Sequence, residues 1–245
     1  MARALNQSSP AFLASVTTAD EALQALAAGA DIIDAKDPSK GALGALDPHI
    51  IGDIVAAIAG RSAVSATIGD LPTEPDLMCA AAVSTAATGV GFVKAGFFGE
   101  CDPREAIAAL GRANLGSARL VAVLMADRNP DFAILPALAA AGFAGVMLDT
   151  ADKAAGALPD VLAPVRLQSF LNDARRSGLK AGLAGSLRRA HIAGIVNLAP
   201  DIIGFRGALC GSGRASALDG ALVRCVRDDI DAAVTERARA QRSVA

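Results

Sequence analysis

Short apolar runs recur eight times along the 245 residues, and each is followed by a stretch, usually alanine-rich, with helical spacing. The runs lie at 12–16, 31–36, 63–70, 91–97, 119–127, 145–150, 180–187 and 202–210. The helical stretches lie at 18–29, 48–59, 76–88, 103–114, 131–141, 166–177, 188–198 and 217–240. Parallel pairing needs a crossover of about a dozen residues or more, and each intervening stretch is long enough to supply one. Eight such units predict an α/β chain folded as one (β/α)8 TIM barrel over residues 1–245, with short tails at both ends. A doubly wound open sheet is the alternative, weakened because no Gly-rich dinucleotide fingerprint follows the first run. Cap chemistry supports the helix starts, with Thr18 ahead of the first helix and Pro48 in the opening turn of the second. The Arg-rich end ERARAQRS reads most simply as a final solvated helix that frays, with a partner-binding tail as the alternative.

Composition narrows the function classes. The chain is 53% hydrophobic and has no Trp or Tyr, so its core must be built from Ala, Leu, Val and Ile. A net charge of −2 argues against a nucleic-acid-binding surface while leaving room for a local cationic pocket. Cys79, Cys101, Cys210 and Cys225 form no CxxC pair and read as buried free thiols. With His49 and His191 as the two histidines, no metal site and no cofactor are expected. There is neither signal-peptide architecture nor an apolar segment long enough to span a bilayer, which points to a soluble, cytoplasmic protein with no membrane partner. A homo-oligomer is compatible with the sequence.

Only five of the 23 basic residues are lysines, and the other 18 are arginines. Lys36 in DIIDAK and Lys94 in GFVKAG nevertheless sit inside apolar strand runs, and Lys153 follows VMLDT closely. Arg keeps its proton near neutral pH, whereas a desolvated or crowded Lys can become a base or a nucleophile. Side chains two apart on a strand share a face, so Asp34 and Lys36 project the same way near the end of the second strand. Lys94 comes from the fourth strand and Asp149 closes the sixth, and even-numbered strands supply common layers of a barrel interior. Crowded ammonium groups in an apolar pocket would favour a neutral amine able to attack a carbonyl, with Asp34, Asp149 and Lys153 as acid–base partners. The structural alternative is a set of ion pairs across the barrel mouth. Lys40 reads as a loop cation, and Lys180 should lie at the opposite, stabilising end.

A second signal is a phosphate cradle. LAGSL at 183–187 and FRGALCGSGR at 205–214 lead from the seventh and eighth strands into helices, where such barrels often bind phosphate on backbone N–H groups. Gly185, Ser186, Gly207 and Gly211 would allow close backbone approach, and Arg206 or Arg214 could add charge. The loop DPSKGALGA at 37–45 either closes over a substrate or holds a second phosphate through Ser39 and Lys40, or else merely turns into the next helix. Thr67 and Asp70, at the third strand end, could orient a substrate hydroxyl or simply bond the backbone.

The ordered motifs DIIDAKDPSKGALGA, SATIGD, GFVKAGFFG, VMLDTADK, GLAGSL and GFRGALCGSGR, spread over nearly the whole chain, resemble the (5-formylfuran-3-yl)methyl phosphate synthases, also called 4-(hydroxymethyl)-2-furancarboxaldehyde-phosphate synthases. The resemblance implies a lyase that joins two molecules of glyceraldehyde 3-phosphate, a small-molecule triose phosphate, into a furan with loss of phosphate and water. It also implies a place in methanofuran-type cofactor biosynthesis and one-carbon metabolism. On that resemblance Lys36 is the Schiff-base lysine, Lys94 the proton-accepting lysine, and Asp149 and Lys153 lie close to the same site. Another class I aldolase-like triose-phosphate lyase, or a sugar-phosphate-binding barrel without turnover, remains open at this point.

Overall fold

In the computed structural model, which describes residues 9–99 and 101–244, eight parallel strands close on themselves in sequence order. They are β1 (Ala11–Val16), β2 (Ile32–Ala35), β3 (Ala63–Thr67), β4 (Phe92–Phe97), β5 (Arg119–Met125), β6 (Gly145–Asp149), β7 (Lys180–Leu183) and β8 (Ile202–Phe205). Register is continuous round the ring, and β1 pairs with both β2 and β8. The strand period of two divides the core into two parts. Outward residues such as Phe12, Val16 and Ile33 form the larger cluster with helix residues such as Ile51, Ile54 and Ile58. Inward residues Leu13, Val121, Val123, Met125 and Met147 form a smaller one inside the barrel.

The helices are α1 (Ala19–Ala27), α2 (Pro48–Ile58), α3 (Pro75–Ala86), α4 (Arg104–Arg112), α5 (Leu135–Ala140), α6 (Leu158–Val161), α7 (Pro164–Arg176), α8 (Ile192–Asn197) and α9 (Gly220–Val244). Thr18 caps α1 by accepting from the Glu21 N–H at 3.1 Å, and Pro48 opens α2. No described helix is long and apolar enough to cross a membrane.

Several elements differ from the sequence expectation. Strands β3, β5, β7 and β8 stop two to five residues earlier than their apolar runs. Gly185 (φ 106°) and Ser186 (φ 47°) take the left-handed region, which a strand ladder cannot continue, so the run after β7 becomes loop. The stretches expected at 131–141 and 188–198 each begin with a 3-10 turn, and α6 is an extra short helix. The Arg-rich end continues α9 through residue 244. The expected N-terminal tail lies outside the described residues. All four cysteines are free, but only Cys210 is buried, while Cys101 is exposed.

The 37–45 loop helps shape the mouth of the barrel. Leu43 is buried in the inner cluster, and a Cβ on Gly96 would lie 2.6 Å from Leu43 Cδ1, so glycine there permits this packing. Asp70 holds the loop by accepting from the N–H groups of Ala42 and Leu43 at 2.7 and 2.6 Å. Thr67 donates to the Gly44 carbonyl at 3.1 Å. Both side chains thus bond the loop backbone, one of the two roles the sequence left open for them.

Candidate active site

Asp34 is fully buried at the centre of β2, and parallel register sets Ser15 of β1 and Ser65 of β3 directly beside it. Ser15 donates to Asp34 Oδ2 at 3.0 Å, and Ser65 donates to Oδ1 at 2.6 Å. Lys94 reaches across from β4 and donates to both carboxylate oxygens at 3.0 Å. Burial alone would push the Asp34 carboxyl up. The charges of Lys94 and Lys36, with the Ser65 hydrogen bond, outweigh it and hold the group below its ordinary range.

The second carboxylate, Asp149, ends β6. Its Oδ2 lies 3.5 Å from Lys36 Nζ, and its Oδ1 accepts from Lys153 at 2.6 Å and from the Thr150 N–H at 2.8 Å. Here too burial raises the carboxyl, while Lys36 and Lys153 overcome it and hold Asp149 far below the usual carboxylate range. Lys153 also donates to the Thr150 carbonyl. Burial is the chief cause that lowers the Lys153 pKa; Asp149 pulls it back up, and the Lys36 charge pushes it down again.

The three lysines are therefore held differently. Lys94 and Lys153 are fastened by hydrogen bonds, whereas Lys36 has a 3.5 Å ion pair and, among the described residues, no hydrogen bond from its amine. All three line a cavity of about 290 Å³ at the carboxyl ends of the strands, where active sites of such barrels lie. Six Lys and Arg side chains line it against two carboxylates, so it suits an anionic ligand.

Gly185, Ser186 and Gly207 form part of its wall. A Cβ on Gly185 would come within 3.0 Å of the Thr150 backbone nitrogen, so this close approach requires glycine. Gly211, expected in the cradle, is exposed in the loop and does not line the cavity.

Arg206 also departs from its expected task. Its guanidinium donates to Glu21 Oε2 at 2.6 Å and Oε1 at 3.2 Å, and to the carbonyls of Ser15, Arg214 and Ser216 at 3.1, 2.9 and 2.8 Å. A guanidinium has five N–H donors, and these contacts occupy them, so Arg206 ties β1, α1 and the loop after β8 together. Arg214 is the better-placed cation. It is half-buried in the cavity wall and donates to the Gly41 carbonyl at 3.0 Å, linking the loop after β8 to the loop after β2.

Lys40 is exposed beside Asp37, and Lys180 pairs with Asp201 at the far end of the barrel. Sequence reasoning passed over Ser15 and Ser65. Their signal was a polar residue at an inward position, level with Asp34, on an otherwise apolar strand. Among the described residues, no His/Cys/Asp/Glu group is arranged to hold a metal ion.

The 4-HFC-P synthase family model matches residues 12–227. A (5-formylfuran-3-yl)methyl phosphate synthase of Methanopyrus kandleri is 36% identical, with 83% of this chain and 91% of that protein covered. A Methylorubrum extorquens protein given the same name provisionally is 45% identical, with 89% and 91% covered. Among solved structures, 3-hexulose-6-phosphate synthase from Salmonella typhimurium aligns with a TM-score of 0.63 at 17% identity, covering 88% of this chain and 97% of that one. Phosphoribosyl anthranilate isomerase from Thermus thermophilus aligns with a TM-score of 0.64 at 15% identity, covering 90% and 98%. At these identities the two structures speak for the barrel alone.

Proposed function

The chain belongs to the 4-HFC-P synthase family, and we propose that it condenses two molecules of glyceraldehyde 3-phosphate through a Schiff base on Lys36. The observation that carries this reading is the contrast among the lysines. Lys36 has the amine least fastened by hydrogen bonds, and a carboxylate stands 3.5 Å away to accept or return a proton. The excess of cations around the cavity supports a substrate that brings two phosphates.

In this mechanism the Lys36 amine adds to a triose carbonyl and water leaves, giving an imine that acts as an electron sink once protonated. Lys94 or Asp149 takes the proton from the adjacent carbon, and the resulting enamine carbon attacks the carbonyl of the second triose. Elimination of phosphate, dehydration and release of the imine give the furan aldehyde. Two trioses are thereby converted to one furan phosphate, one inorganic phosphate and two waters. Asp149 orients Lys36 and Lys153, while Asp34 fixes Lys94. The backbone at Gly185, Ser186 and Gly207 holds a phosphate together with Arg214, and Arg206 holds the loop after β8 in place. The product would serve as a precursor of a methanofuran-type cofactor.

Borohydride reduction in the presence of glyceraldehyde 3-phosphate, followed by peptide mass spectrometry, tests the reading. A triose-phosphate adduct on Lys36, with a near-ultraviolet furan chromophore and released phosphate in unreduced samples, is the expected result. An adduct with a simple aldol product would instead indicate another class I aldolase. Binding with neither adduct nor product would indicate a sugar-phosphate-binding barrel.

A further inference from the structure

A second cavity, of about 720 Å³, lies inside the opposite end of the barrel. It shares Leu13 and Lys94 with the substrate cavity, so the two meet at the Lys94 level from opposite sides. Ser65 lines only this lower cavity, and Ser15 lines only the upper one. Its far end carries Arg119 and Lys180, both exposed, together with Asp201. Barrels of this class usually fill their interior with packed layers of side chains. Between its polar ends the wall is apolar, formed by Leu13, Val121 and Met147, and the space has room for a chain of waters joining one end to the other.

Above the cavity the hydrogen bonds are continuous. Ser65 donates to Asp34 Oδ1 at 2.6 Å, and Lys94 donates to the same oxygen at 3.0 Å. We propose that Ser65 and the lower cavity form a proton relay connecting the Lys94–Asp34 pair to solvent through the end of the barrel remote from substrate. The inference rests on the condensation reading, in which one small pocket hosts several proton transfers and two dehydrations. When Lys94 gives a proton to a departing hydroxyl, its neutral amine is refilled from below. A water of the cavity protonates Ser65 Oγ as the Ser65 O–H bond breaks and its proton passes to Asp34 Oδ1. The new carboxylic O–H then breaks as the proton moves to Lys94 Nζ. Solvent supplies the proton to the cavity water, so the net change is one proton moved from solvent to Lys94. Ser65 touches no substrate in this scheme; it acts through Asp34.

Ser65→Thr and Ser65→Val test the relay, because the two side chains have nearly the same shape and differ in the hydroxyl. The Thr variant should keep kcat for furan formation within about threefold of wild type, and the Val variant should lose about tenfold or more. KM should stay within about twofold in both, and the solvent deuterium isotope effect should rise in Ser65→Val alone. Ser15→Val removes the matching bond to Asp34 Oδ2 from the substrate side and should leave the isotope effect at the wild-type value. Equal behaviour of Ser65→Val and Ser65→Thr would overturn the relay. So would equal losses in Ser65→Val and Ser15→Val with an unaltered isotope effect, since bracing of Asp34 would then suffice.

Should Ser65→Val fail to fold, Val121→Phe, which narrows the lower cavity and leaves Ser65 intact, is expected to raise the isotope effect; an unaltered value counts against the relay. If the wild-type enzyme makes no furan, the condensation reading fails on that result. The relay is then judged by a high-resolution crystal structure: ordered waters running from Ser65 Oγ to the Lys180 end support it, and a dry cavity overturns it.

Discussion

Lys36 Nζ stands 3.5 Å from Asp149 Oδ2, while the other oxygen of that carboxylate is held by Lys153 at 2.6 Å. Asp149 is thus firmly anchored on one side and loosely engaged on the other. That asymmetry leaves the Lys36 amine without a hydrogen bond among the described residues while keeping a carboxylate beside it.

Replacing Lys36 with Arg retains the positive charge beside Asp149 but removes the amine on which the proposed imine depends. Lys36→Arg is expected to show no borohydride-trapped adduct and to lose furan formation by at least about a thousandfold, the scale of a lost covalent step. Furan production near the wild-type rate by this variant would remove Lys36 from the mechanism.

Asp149 titrates in the folded protein far below an ordinary carboxylate. Its depressed pKa contributes stability that is fully present above the unfolded value, about pH 4, and is lost as pH falls toward the folded value. Acid unfolding followed by circular dichroism should show this loss in wild type, and Asp149→Asn should have a shallower decline below about pH 4. Parallel curves for the two proteins would contradict the assignment.

Lys153 has a pKa below the ordinary lysine value of 10.5, chiefly through burial. If it must carry a proton to act, the alkaline fall of kcat/KM begins below the pH at which an exposed lysine would titrate. Lys153→Arg does not titrate in that range and should lower activity while abolishing that limb. A limb unchanged in position would assign it to another group.

Arg214 and the Glu21–Arg206 pair should respond to mutation in different ways. Arg214→Ala removes a cavity cation and is expected to raise KM about 10- to 100-fold with little change in melting temperature. Glu21→Gln weakens the buried pair with Arg206 and should cost up to about 3–5 kcal/mol, read as a lower melting temperature. Similar melting temperatures for both variants would show that Arg206 is not the anchor of the loop after β8.

Much of this was legible in the sequence. Strand alternation and helical spacing are local properties, set by which side of an element each side chain occupies, so the eight-unit barrel followed from the order of the runs. Lys36, Lys94 and Asp149 stood out because a charge inside an apolar strand has few inexpensive places to go. Their level in the barrel followed from counting residues along parallel strands.

What the sequence left undecided was which groups partner each other. FRGALCGSGR presents Arg206 and Arg214 in one glycine-rich loop, yet Glu21, 185 residues away, occupies Arg206 and leaves the cavity wall to Arg214. Ser65 reads as an ordinary strand residue until register sets it beside Asp34 with a cavity beneath. Periodicity is written into consecutive residues, whereas the partner of a buried donor is fixed by closure of the barrel, which brings together groups far apart in the chain.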